Sequence, residues 1–137
     1  MRPIVLDTDT LILLSKLRKL DAFVSKFDAC ITVITEYEYL RGEIKAGIDP
    51  KESKSSLELA FNVLSFDNKS ITIAGKIWTD LSSKGEIIDE RDLIIGAICI
   101  TNNTPLWTKN VRHFVRLKRF GLKLVDIDTE TWRISEI

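Results

Sequence analysis

The sequence predicts an α/β fold in which a central parallel sheet is covered by helices on both faces, a three-layer α/β/α arrangement. Two observations carry this. Short apolar runs alternate along the chain with longer stretches of helical periodicity, and strands that alternate with helices form parallel sheets. One late segment is apolar on nearly every side, which marks a buried helix packed on such a sheet.

The elements follow in order. Ile4-Val5-Leu6 is an apolar run ending in polar Asp7-Thr8-Asp9, a buried strand entering a loop. Leu13, Leu17 and Leu20 recur at helical spacing. Cys30 to Ile34 reads as a second strand, and a helix follows with Tyr37, Leu40 and Ile44 on one face. Gly47-Ile48-Asp49-Pro50 breaks it. Leu57, Ala60, Phe61 and Leu64 mark the next helix. Asp67-Asn68 caps another, carrying Ile71, Ala74, Trp78 and Leu81, which Gly85 ends. Asp89 opens the buried helix, whose apolar residues run from Leu93 to Ile100. Pro105-Leu106-Trp107 and Leu124 to Ile127 are two further strands.

Composition narrows the class. The 137 residues fit one domain, 1–137, without repeat or linker. Basic and acidic residues balance at 20 each, so any footprint for nucleic acid must be local. Cys30 and Cys99 sit in apolar runs without a CxxC spacing, as two buried free thiols. Asp7 and Asp9 interrupt the first apolar stretch, which argues against a signal peptide, and no apolar run is long enough to span a bilayer. A cytoplasmic protein is expected.

The polar residues converge. Asp7 follows the first strand, Glu38 falls in the first helical turn after the second, Asp92 in the first turn of the buried helix, and Asn110 just after the Pro105 strand. In a parallel α/β sheet, strand ends and helix starts share one edge, where such folds bind ligands. Each residue also has a purely structural reading. Thr35 to Glu38 is a capping box, Asp89 caps its helix and leaves Asp92 against the helix dipole, and Asp7 and Asp9 are loop or cap residues. Three carboxylates at one edge nevertheless repel, which raises a pKa unless a cation neutralises them. A hard divalent ion such as Mg²⁺, held by a few carboxylates and several waters, meets that requirement.

Four segments in this order resemble the PIN-domain family, and VapC toxins in particular. Val5-Leu6-Asp7-Thr8-Asp9-Thr10-Leu11-Ile12 is similar to the family's opening strand and first acidic residue. Thr32-Val33-Ile34-Thr35 with Glu38-Tyr39-Leu40-Arg41-Gly42 resembles its second motif, Asp92-Leu93-Ile94-Ile95-Gly96-Ala97 its third, and Leu106 to Phe114 its fourth. The resemblance implies a Mg²⁺-dependent endoribonuclease, with Mn²⁺ as a possible substitute, paired with a VapB-type antitoxin and forming a homodimer. It assigns Asp7, Asp92 and Glu38 to the metal, adds Asn110 to the catalytic set, and leaves Thr8, Asp9 and Thr108 as supporting hydrogen-bond partners. Asp9 stands where many relatives carry Asn, His113 where an acid often precedes the Phe, and Gly96 where Ala is usual. Asn110 stands where some relatives carry a fourth acid.

Two further readings concern the surroundings. From Lys109 to Lys123 the chain has six basic residues and no acid, so Lys109, Arg112, Arg116 and Lys118 form either a phosphate track or a solvated charged face. His113 is either a proton carrier or a packed core-edge residue, the packed role being preferred. The tryptophans Trp78, Trp107 and Trp132 fit core or interface better than base stacking. Rival functions are a housekeeping PIN nuclease, a non-catalytic PIN module, and a haloacid-dehalogenase-like phosphatase. The last rests on Asp7-Thr8-Asp9-Thr10, similar to a DxDxT signature with the Thr one position early.

Overall fold

Ile4, Val5 and Leu6 are fully buried in strand β1 (Pro3–Leu6), at the middle of the sheet. The computed structural model describes residues 1–137. Helices α1 (Thr8–Lys16) and α2 (Leu20–Lys26) follow, then β2 (Asp28–Thr32), α3 (Val33–Lys45), α4 (Pro50–Ala60) and β3 (Asn62–Leu64). The second half contains α5 (Asn68–Ser83), α6 (Glu90–Thr101), β4 (Leu106–Trp107), α7 (Val111–Phe114), a 3₁₀ helix (Val115–Phe120), β5 (Leu124–Ile127) and β6 (Ile134–Glu136). The strand order is β3-β2-β1-β4-β5-β6. Five strands pair in parallel and β6 joins β5 antiparallel. No helix is long and apolar enough to cross a membrane.

The pleat of the sheet divides the core. Val5, Cys30, Leu106 and Leu124 face one way, onto Ala74, Ile77 and Leu81 of α5, the apolar run of α6, Phe114 and Leu117. Ile4, Leu6, Ile31 and Trp107 face the other way, onto Leu11 and Leu14 of α1, Phe23 of α2 and Leu57 of α4. Each such fully buried side chain contributes about 1.5–3 kcal/mol. The two cysteines are buried and unpaired, and loss of water around them raises both thiol pKa values, that of Cys30 to about 11.

Several local expectations need correction. Leu13, Leu17 and Leu20 do not share one helix. Lys16 ends α1, Arg18 takes a left-handed φ of 57°, and Leu20 begins α2. The second strand stops at Thr32 rather than Ile34, because the Thr32 hydroxyl accepts the Thr35 N–H and caps α3. Thr35 is therefore no capping-box start, and Glu38 lies in the second turn. Tyr37 and Ile44 on α3 are exposed. Phe61 to Leu64 leave the helix as extended chain, because β2 offers an open edge that β3 fills. Helix α5 has the expected Asp67 cap, completed by Ser70 into a reciprocal box. Its buried face is Ser70, Ala74, Ile77 and Leu81, which leaves Ile71 and Trp78 exposed. The α7–3₁₀ segment and β6 have no counterpart in the periodicity.

Gly96 on α6 is explained by that unexpected 3₁₀ helix. A Cβ at Gly96 would come within 2.4 Å of Cδ1 of Leu117, itself fully buried. Alanine would gain about 1 kcal/mol of helix propensity, but overpacking a filled core costs about 1–3 kcal/mol. Gly96→Ala should therefore lower stability by about 1 kcal/mol net, read as a lower urea midpoint at unchanged slope. Combined with Leu117→Ala it should cost less than the sum of the two single variants; strict additivity would show that the contact is not the cause.

Candidate active site

The chain builds β1, β2 and β3 in one direction, then returns to place β4 on the other side of β1. This reversal opens a crevice beyond the carboxyl ends of β1 and β4, the position where open α/β sheets bind ligands. Asp7 leaves β1 there and Thr108 leaves β4. From across the sheet, α3 contributes Glu38 and the start of α6 contributes Asp92. Asp7, Glu38 and Asp92, with Thr8, Asp9, Asp89, Arg91, Asn110 and His113, line one polar cavity of about 280 Å³.

Hydrogen bonds hold the acids in place. Asp7 is 4% exposed and caps α1, its Oδ1 accepting the Thr10 N–H at 3.0 Å. Its Oδ2 accepts the Thr108 hydroxyl at 2.5 Å. The same Thr108 oxygen accepts the Asn110 N–H at 2.9 Å, which ties the β4 loop to the carboxylate. Asn110 Nδ2 donates to Asp9 Oδ2 at 2.8 Å. Thr8 donates to Glu38 Oε1 at 2.7 Å and lies 3.2 Å from the buried Thr35 hydroxyl. Asp92 Oδ2 lies 3.3 Å from His113 Nδ1, and His113 is 61% exposed. The packed role preferred for His113 does not hold. Sequence reasoning also missed Arg91, whose Nη1 donates to Glu38 Oε2 at 3.1 Å, and read Asp89, which binds Arg91 in turn, only as a helix cap. Their position beside Asp92 in the first turn of α6 was the available signal.

The basic segment is not one continuous track. Lys109 sits over the Trp107 ring, 3.6 Å from Asp126. Arg116 donates to the Ile87 carbonyl, and Arg119 pairs with Asp80 and Glu86. Lys118 donates to the Ile137 carbonyl and lines a cavity with Pro3 and Pro105, at the opposite edge of the sheet. Arg112, exposed on α7 beside the cavity-lining Asn110 and His113, is the residue of the four placed to meet an anion.

Electrostatics bears on whether a cation fits. Burial pushes the Asp7 carboxyl above its ordinary pKa; the Thr10 and Thr108 hydrogen bonds oppose this, and the Asp9 charge adds to it. Burial also raises Asp92, with the charges of Asp89 and Asp7 adding and His113 opposing. The donor set is all oxygen, suited to a hard divalent ion. No three acids converge into a ready cage, so a bound ion would keep much of its water, as Mg²⁺ does.

A raised folded pKa means that Asp7 contributes most to stability below its unfolded pKa, and that this contribution is lost as pH rises through the folded value. Asp7→Asn removes the buried charge and keeps a good helix cap. In EDTA the variant should match the parent Tm below about pH 4 and exceed it at pH 7–8. A lower Tm at pH 8 would show that the Thr108 bond outweighs the buried charge.

Comparison with known proteins agrees with this geometry. The sequence model of the PIN domain matches residues 4–120. Ribonuclease VapC1 of Methanocaldococcus jannaschii is 36% identical over 126 residues, covering 90% of this chain and 87% of the relative. Among solved structures, VapBC-1 from nontypeable Haemophilus influenzae superposes with a TM-score of 0.73 at 27% identity, over 90% of this chain and 97% of that one. DNA-bound VapBC from Salmonella typhimurium gives 0.74 at 25% identity, over 92% and 98%. The phosphatase reading of Asp7-Thr8-Asp9-Thr10 gives way to this match, which takes in all four motif segments within one fold. The chain belongs to the PIN-domain family, in its VapC-type branch.

Proposed function

We propose that this protein is an endoribonuclease that hydrolyses RNA phosphodiester bonds with Mg²⁺, or Mn²⁺ in its place, and that it is the toxin of a VapBC-type pair. The observation that carries the reading is the meeting of Asp7, Glu38 and Asp92, from three separate elements, in one cavity at the sheet's switch point. The name of the M. jannaschii relative supports ribonuclease action, and the VapBC complexes support an antitoxin partner.

Asp7 and Asp92 would hold the cation, with Glu38 completing the set or orienting water. What a bound divalent ion supplies is charge neutralisation and polarisation of the phosphodiester. The chain's own groups do the positioning. Thr108 fixes the Asp7 carboxylate on one oxygen and the Thr10 amide fixes it on the other. Thr8 orients Glu38, and Asn110 keeps Asp9 on the rim. Arg112 would bind RNA phosphate beside the cavity. For a homodimer, the exposed Ile71 and Trp78 of α5, beside a groove formed with Phe66, Leu93 and Ile94, offer an apolar face suited to two-fold pairing.

Asp7→Asn and Asp92→Asn should each reduce cleavage of single-stranded RNA at least about 100-fold, since removing even outer groups of a metal site costs about 10–100-fold. EDTA should abolish cleavage and Mg²⁺ restore it. Wild-type turnover in either folded variant at saturating Mg²⁺ would overturn the site. Arg112→Ala should reduce the slope of log affinity against log salt by about one, with Lys118→Ala leaving it unchanged.

Co-expression with the small reading frame next to the gene should yield a stable complex, and light scattering on the free chain should give twice its 15.6 kDa mass. Failure to co-purify, with no growth arrest on expression alone, would point instead to a housekeeping PIN nuclease.

A further inference from the structure

Five carboxylates line the cavity: Asp7, Asp9, Glu38, Asp89 and Asp92. Arg91 is the one lining residue with a permanent positive charge, and its placement is specific. Its Nε and Nη2 each lie 3.3 Å from an oxygen of Asp89, a two-pronged contact that fixes the plane of the guanidinium. Its own backbone N–H donates to Asp89 at 2.8 Å, so the same carboxylate caps α6 and anchors the side chain. Held this way, Nη1 reaches Glu38 Oε2 at 3.1 Å. The other Glu38 oxygen accepts the Thr8 hydroxyl. Both oxygens of Glu38 are thus engaged by the chain itself, and no three acids are gathered for a cation.

We propose that Arg91 is a positioning residue that competes with the divalent cation for Glu38 and thereby sets the metal affinity of the site. The proposal rests on the metal-dependent reading above. Glu38 gives an oxygen to the metal only after the Arg91 contact breaks, so part of the binding free energy is spent on that exchange. The pair is accessible to such exchange, since the Arg91 side chain is 56% exposed while Glu38 is 16% exposed. The acid-rich cavity is in this way kept partly neutral while no cation is bound, which limits the repulsion among its carboxylates.

The test is Mn²⁺ binding by calorimetry or electron paramagnetic resonance on the full chain, which needs no turnover. Arg91→Gln should bind Mn²⁺ about two- to fivefold more tightly than the parent, the range an accessible ion pair is worth. In a Glu38→Gln background the same change should have less than half that effect, because the competition has been removed. Arg91→Lys, which keeps the charge but loses the two-pronged hold of Asp89, should fall between parent and Arg91→Gln, and it carries the test if the Gln variant melts early by circular dichroism. Unchanged or weaker Mn²⁺ binding in Arg91→Gln overturns the proposal and leaves the metal site standing. So does an equal gain with and without Glu38, which would mark a general charge effect. Absence of Mn²⁺ binding in the parent and every variant would instead remove the metal reading itself, and this proposal with it.

Discussion

Asp7 carries a carboxylate almost wholly withdrawn from water at the point where the sheet reverses direction. An ionised group there is costly unless hydrogen bonds or a cation answer it. The fold supplies two hydrogen bonds, one from the amide of α1 and one from Thr108 at the end of the neighbouring strand. The second joins two segments about a hundred residues apart in sequence, and through the Asn110 amide it shapes the loop that leads to α7. The geometry of the crevice therefore depends on a residue whose charge opposes folding while the site is empty of cation. Such a conflict between local stability and site chemistry is expected where function is concentrated.

The remaining charges are arranged around this one. Asp9, Asp89 and Asp92 add to the negative field, and Asn110, Arg91 and His113 each take up one of them. The balance is local, since the chain as a whole has no net charge. An anionic polymer approaching the cavity would meet carboxylates first, so contact with the RNA substrate proposed above would require positive charge at the centre or on the rim. In the proposed reading the centre takes that charge from a cation. Beside the cavity, Arg112 is free, whereas Lys109, Arg116, Lys118 and Arg119 are occupied by carbonyls and carboxylates of the same molecule and Lys123 lines the cavity at the opposite edge.

The scaffold holds these groups rigidly. β1 is flanked on both sides by parallel strands, and both faces are covered by packed helices, so the loop bearing Asp7 starts from a fully buried strand. Helix α6 lies within one half of the core and brings Asp92 to the edge by its first turn. The 3₁₀ helix packs Leu117 onto Gly96, which seats the segment carrying Asn110 and His113 against α6. The apolar periphery of α5 makes no comparable contact within the chain.

How much of this was legible in the sequence follows from the range of each interaction. Asp7, Glu38, Asp92 and Asn110 could be assigned to one sheet edge from order alone, because each lies shortly after a strand or near the start of a helix and parallel topology brings those points together. The caps at Asp67 and Asp89 were equally legible, since a cap is decided within about three residues. The fold class followed from alternating periodicity. The register of α3, the strand β3, the split between α1 and α2, and the buried face of α5 were not legible, because distant partners decide them: an open strand edge, a competing hydroxyl, the shape of the opposing layer. The same holds for Arg91 and Lys118. One is a surface-type residue drawn into the cavity by Asp89 and Glu38, and the other is a basic residue carried to the far edge by a 3₁₀ helix. Sequence by itself determined which chemical groups this protein has at its ligand edge. Tertiary structure alone decided which of them touch, because a side chain's partner depends on packing among elements that local periodicity does not encode.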